Sequence, residues 1–119
     1  MKAIIIIPTY NEKDNIEKMI NAVLELPSYV EILVVDDNSP DKTADLVEKY
    51  LNNKRVHLLK REKKEGLGPA YIAGFKHSFS YNPDYVIEMD ADFSHDPNFV
   101  IKFIERMENE KLDLVIGSR

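Results

Sequence analysis

The sequence predicts an α/β domain built on an open, mostly parallel sheet flanked by helices. Short apolar runs rich in β-branched residues alternate with segments whose apolar residues recur at helical spacing, the pattern of successive right-handed βαβ units. The strand-like runs are continuously apolar, as in strands buried on both faces. Three of them end in polar clusters, Pro8–Glu12, Asp36–Asp41 and Asp90–His95. A parallel sheet brings the carboxyl ends of its strands, and its ligands, to one edge.

Taken in order, Ala3 to Ile7 is the first strand, and it stops at Pro8. A helix follows with Ile16, Met19, Ile20, Val23 and Leu24 on one face, closed by Pro27-Ser28. Glu31 to Val35 is the second strand. The next helix runs from about Thr43 to Leu51, with Ala44, Val47, Tyr50 and Leu51 inward and Asp41 or Thr43 as its cap. Val56 to Leu59 is a short third strand. Pro69 suits the first turn of a helix carrying Ile72, Phe75 and Phe79, and Gly66 and Gly68 suit the backbone at its entry. Tyr85 to Met89 is the fourth strand. Asp96-Pro97 opens a helix with Val100, Phe103, Ile104 and Met107 on its buried face. Leu112 to Ile116 is a fifth strand.

Composition narrows the function. The 119 residues fit one domain, and 21 acidic against 16 basic residues give a net charge of -5, which argues against nucleic acid as a partner. Without cysteine there are no disulfides, thiolate metal sites or cysteine nucleophiles. The apolar run before Pro8 is too short for a signal-peptide core, and nothing approaches the ~20 apolar residues of a membrane span. The chain therefore reads as cytosolic, with peripheral membrane contact left open. There is no Gly-x-Gly-x-x-Gly after the first strand and no Gly-x-x-x-x-Gly-Lys-[Ser/Thr], which disfavours a dinucleotide-dependent oxidoreductase and a P-loop NTPase.

The most informative stretch is Tyr85-Val86-Ile87-Glu88-Met89-Asp90-Ala91-Asp92-Phe93-Ser94-His95. In extended backbone, residues i and i+2 point to the same side, so Asp90 and Asp92 can face a common point. Two hard oxygen ligands at a strand end suit Mg²⁺ or Mn²⁺ together with substrate phosphates.

Pro8-Thr9-Tyr10-Asn11-Glu12, Val34 to Asp41 (Val-Val-Asp-Asp-Asn-Ser-Pro-Asp), Glu65-Gly66-Leu67-Gly68, Met89 to His95 and Ile116-Gly117-Ser118-Arg119 occur in this order and spacing. Together they resemble the nucleotide-sugar half of family-2 inverting glycosyltransferases of the GT-A fold, a Rossmann-like sheet flanked by helices. Within that family the resemblance is greatest to dolichyl-phosphate and polyprenyl-phosphate mannosyltransferases. It implies that Pro8, Tyr10 and Glu12 line a nucleoside pocket completed by Val35 and Asp37, with Asp37 accepting from base N–H donors. It implies that Asp90, Ala91 and Asp92 form the metal and diphosphate site, with Ser94 a weaker metal ligand. Asp92 and Arg119 would carry the catalytic roles, Arg119 facing phosphate. The implied reaction is transfer of mannose from GDP-mannose to a polyprenyl or dolichyl phosphate at a membrane surface, with inversion and a divalent metal.

Resembling catalytic domains continue past Gly-Ser-Arg into an acceptor-binding segment, so residues 1–119 read as a single donor-binding domain truncated on its acceptor side. Two other functions stay open, a UDP-sugar-dependent polyprenyl-phosphate transferase and a nucleotide-sugar-binding module without catalysis. An exposed C-terminal edge strand would favour self-association into a homo-oligomer. Lys42 stands where the family commonly has glycine. Asp36 and Asp37 also fit a helix-capping loop, and Glu12 a first-turn helix residue. His95 suits a loop or cap, and His57 and His77 suit structural or surface positions. Lys54-Arg55 and Lys60 to Lys64 read as solvated loop, with Arg61 alone a candidate for the site.

Overall fold

The computed structural model describes residues 2–63 and 66–89, together with Lys102 and Glu105. Four strands, β1 (Ala3–Thr9), β2 (Val30–Asp36), β3 (Val56–Lys60) and β4 (Tyr85–Glu88), form an all-parallel sheet in the order β3-β2-β1-β4. Helices α1 (Lys13–Leu24), α2 (Thr43–Glu48) and α3 (Leu67–Ser78) connect them, α3 running into a 3-10 turn, Phe79–Tyr81. No helix among the described residues is long and apolar enough to cross a membrane.

The central strand β1 explains the two-sided core. Ile4 to Ile7 are all fully buried, and their alternation divides them between the faces. Ile5 and Ile7 pack with Ile16, Met19, Ile20 and Val23 of α1 and Val47 of α2. Ile4 and Ile6 pack with Leu33, Val35, Val86 and Ala70 of α3. Each buried isoleucine contributes about 1.5–3 kcal/mol.

Helix α3 does not bury the face its large residues suggested. Ile72 and Phe79 are exposed, while Ala70, Gly74 and Ser78 lie against the sheet. A Cβ on Gly74 would stand 2.7 Å from the Ile6 Cγ2 and 2.8 Å from the Val35 Cγ2. Small residues at i, i+4 and i+8 let this helix approach closely, with Phe75 alone of the expected residues packing on the core. Helix α2 is shorter than its periodicity suggested, and Leu51 beyond it is exposed.

Pro8 shapes the carboxyl edge. The β1–β4 ladder ends at Ile6↔Glu88, with the Met89 N–H donating to the Ile6 carbonyl. Two residues on, Pro8 has the same parity and no N–H to donate toward β4. On the other side β1 stays paired with β2 through Thr9↔Asp36. Among the described residues the β1–β4 ladder thus stops short of Pro8 while β1–β2 pairing continues past it.

Arg55 is not a solvated loop residue. Its guanidinium donates to the carbonyls of Val23, Leu24, Leu26, Pro27 and Val30 at 2.9–3.2 Å. Two of these, Val23 and Leu24, end α1, where carbonyls run short of helical partners; the Val23 carbonyl also accepts from the Leu26 N–H. Lys102 and Glu105 are helical and exposed, within the helix expected after Asp96-Pro97. The rest of that helix and the fifth strand lie outside the described residues.

Candidate functional site

The loops after β1 and β2 meet at the carboxyl edge and are tied side chain to backbone. The backbone N–H groups of Asn11, Glu12 and Lys13 donate to Ser39 Oγ (3.0 Å), Thr43 Oγ1 (3.1 Å) and Asp41 Oδ2 (3.1 Å). The Asp41 N–H donates back to Asn11 Oδ1 at 3.3 Å. Glu12 stands at the N-cap of α1 and makes no capping bond with its own side chain, so residues of the second loop serve the orphan donors of α1. Asp41 also accepts from the N–H and hydroxyl of Thr43 and so caps α2 as well. Burial pushes the Asp41 carboxyl up, but the bonds from Thr43 and Lys13 outweigh it and hold it below its ordinary 3.8.

Adjacent aspartates have different surroundings. Asp36 is 2% exposed; its Oδ1 accepts from Thr9 Oγ1 at 2.7 Å and Ser39 Oγ at 2.6 Å, and its Oδ2 from the Ser39 N–H at 3.0 Å. Its carboxylate holds the two loops together. Asp37, one residue on, has Arg61 Nη1 at 3.3 Å from its Oδ1. The Arg61 N–H donates to the Asp36 carbonyl at 2.7 Å, and Asn38 Nδ2 donates to the Glu62 carbonyl at 3.1 Å. The end of β3 is thus fixed to the β2 loop. Beside Asp36 opens a cleft of 430 Å³ lined by Asn38, Ser39, Lys42, Lys60 and Arg61.

The sequence-predicted residues fall in distinct places. Tyr10 is half-buried at the end of β1, and Glu12 follows with its Oε2 accepting from Asn15 Nδ2 at 3.3 Å. Pro8 and Val35 are buried opposite each other in the β1–β2 ladder, and the Val35 side chain belongs to the core under α3. Pro8, Tyr10, Glu12 and Asp37 do not line the cleft beside Asp36. Asp90, Ala91, Asp92, Ser94, His95 and Arg119 lie outside the described residues. Among the described residues no cluster of three acidic or histidine side chains could hold a metal ion.

Sequence reasoning passed over Thr9, Ser39 and Glu88. Thr9 donates to Asp36 across the sheet edge and the Ser39 hydroxyl accepts from Asn11 of the other loop, links visible only once strand register is known. Glu88 interrupts the apolar run of β4 at the same edge, and burial raises its carboxyl above the ordinary range. Its place inside an apolar strand was the available signal. His57 and His77 prove structural: the His57 ring lies 2.7 Å from Glu31 Oε1 and stacks on Tyr81, whose hydroxyl is 3.0 Å from His77 Nε2.

With parallel strands, two loops knitted at their carboxyl ends and a buried aspartate pair, the architecture can be set beside known proteins. The sequence pattern of Glycosyl transferase family 2 matches residues 4–119. The chain belongs to that family. It is 40% identical over its whole length to the dolichol-phosphate mannosyltransferase of Pyrococcus furiosus, of which it covers 33%. It resembles S. aureus TarS in complex with UDP-GlcNAc (TM-score 0.78, 25% identity, 93% of this chain and 32% of that one). It also resembles the mannosyltransferase PcManGT from Pyrobaculum calidifontis in complex with GDP-Man and Mn²⁺ (TM-score 0.66, 26% identity, 76% and 27%). These likenesses make the sheet that of a GT-A glycosyltransferase. The chain spans between about a third and a half of the length of the curated relatives it matches.

Proposed function

We propose that this chain is the donor-binding half of a glycosyltransferase that transfers mannose from GDP-mannose to a polyprenyl or dolichyl phosphate with inversion. The observation that carries the reading is the paired-loop carboxyl edge, where the Asp37 N–H donates to the Thr9 carbonyl and the loop carrying Tyr10 and Glu12 is tied to the loop after β2. Relatives named for dolichol-phosphate mannosyl transfer support the substrate class.

In this reading Pro8, Tyr10, Glu12, Val35 and Asp37 bind the nucleoside. Val35, with its side chain in the core, contributes backbone. Asp37 accepts from the N–H donors of the base. Asp90, Ala91 and Asp92 face the diphosphate, and Arg119 offsets phosphate charge. Asp90, Asp92 and the Ser94 hydroxyl are hard oxygen donors that fit Mg²⁺ or Mn²⁺; a bound divalent ion would stabilise the leaving diphosphate. The acceptor phosphate is anionic near neutral pH, so its oxygen attacks the anomeric carbon without a general base while the bond to the nucleoside diphosphate breaks. The acceptor lipid places the reaction at a membrane surface, with peripheral association. The likeness to TarS bound to UDP-GlcNAc favours a UDP-sugar donor as the second reading.

Calorimetric titration with GDP-mannose and UDP-glucose, each with and without Mn²⁺, tests both. Metal-dependent binding of GDP-mannose, abolished in Asp92→Ala with the melting curve unchanged, is the expected result. Preference for UDP-glucose selects the second reading. Binding of neither by a cooperatively melting chain overturns both.

A further inference from the structure

We infer that Arg61 is a positioning residue that fixes the plane of the Asp37 carboxylate and thereby sets the preference between nucleobases. The inference rests on the assignment of Asp37 to base recognition made above. The Asp37 side chain is only 6% exposed and that of Arg61 only 15%, with Nη1 3.3 Å from Oδ1. An ion pair so nearly buried stays paired, because either charge without the other is costly there. The backbone adds a second constraint. Lys60 is in register with Asp36 in the β2–β3 ladder, and the following Arg61 N–H donates to the Asp36 carbonyl at 2.7 Å. Arg61 and Asp37 therefore leave adjacent strands one step past the same rung, and neither can shift along its strand without breaking that bond.

The chemistry of the bases makes this orientation selective. A carboxylate offers about four acceptor sites over two oxygens, so Oδ1 can hold Arg61 and still receive a ligand. Guanine presents two N–H donors side by side on one edge and needs both oxygens in its plane. Uracil presents one and tolerates rotation of the carboxylate. Nη1 on Oδ1, with the Arg61 backbone anchored to the Asp36 carbonyl, narrows the range of carboxylate rotation, whereas the longer, flexible lysine ammonium would restrain it less. Loss of Arg61 should therefore cost guanine nucleotides more than uracil nucleotides.

The test measures GDP and UDP affinities in Mn²⁺ for the 119-residue chain and for Arg61→Ala, Arg61→Lys, Asp37→Asn and the Arg61→Ala/Asp37→Asn double variant. Arg61→Ala should lower the GDP-over-UDP preference about fivefold, with Arg61→Lys between it and the unchanged chain. The double variant should bind GDP as Asp37→Asn does, since coupled residues are not additive. A preference unchanged in Arg61→Ala, or losses that add, overturns the positioning role while leaving the donor-site reading intact. If Arg61→Ala does not melt cooperatively, the same ratio in Arg61→Lys decides. A chain that is folded and binds neither nucleotide overturns the donor-site reading and this inference with it.

Discussion

The two ends of the sheet use polar side chains differently. At the amino edge they fasten the chain entries together: Arg55 spans the end of α1 and the start of β2, and Lys2 donates through Nζ to the Tyr81 carbonyl and through its backbone N–H to Asp84. At the carboxyl edge one set of side chains, Asp36, Ser39, Asp41 and Thr43, knits the loops, and a second set, Tyr10, Glu12 and Asp37, stands beside it. The difference teaches that the carboxyl edge has its own scaffold of polar residues, in which the Asp36 carboxylate is taken up by Thr9 and Ser39.

The largest effect that would sharpen this contrast belongs to the amino edge. Arg55→Ala removes five hydrogen bonds to carbonyl oxygens and should destabilise the fold by about 3 kcal/mol, since charge-assisted bonds are each worth more than neutral ones. Arg55→Lys should recover less than half, because an ammonium cannot span that fork. Urea titration measures the loss. The ratio of GDP to UDP affinity should not move; if it does, the two ends are not separable.

Next comes a pair of variants within the carboxyl edge. Asp36→Ala should cost about 2 kcal/mol, as the buried Thr9 and Ser39 hydroxyls lose their acceptor while the cost of burying a carboxylate is relieved. Donor affinity should fall with it because the loops loosen. Asp37→Ala should weaken nucleotide binding at a smaller cost in stability. Equal melting losses for the two would erase the division between scaffold and ligand residue.

The first four strands and α1 were legible in the sequence because apolar runs and helical spacing report directly on burial. Helix α3 was misread because spacing favours large residues, and Ile72, Phe75 and Phe79 form a regular row. The inner face instead follows Gly74, where the sheet comes too close for any side chain. The polar clusters after β1 and β2 were legible as a shared edge, yet which carboxylate would be consumed by the scaffold was not. Asp36 and Asp37 are equivalent until register puts Thr9 opposite Asp36. Arg55 was misread for a related reason: its partners lie about thirty residues away along the chain, and local charge pattern carries no trace of them.

The smallest effect tests backbone strain at the carboxyl edge. Lys42 precedes α2 with φ of +67° and ψ of 33°, a left-handed conformation that costs a residue with a Cβ about 1–2 kcal/mol. Its backbone is nonetheless employed, the carbonyl accepting from the Asp45 N–H and the N–H donating to the Ser39 carbonyl. Glycine would remove the Cβ penalty and keep both bonds, but it gains freedom in the unfolded chain worth about 0.4–1 kcal/mol. Lys42→Gly should therefore stabilise the protein by about 0.5 kcal/mol, the balance of the two. Because the lysine side chain is exposed, little packing is lost with it. A melting temperature raised by a few degrees with donor affinity unchanged would place the strain in the scaffold alone. A gain in stability accompanied by weaker binding would instead mean that Lys42, which lines the cleft beside Asp36, belongs to the ligand side of the edge.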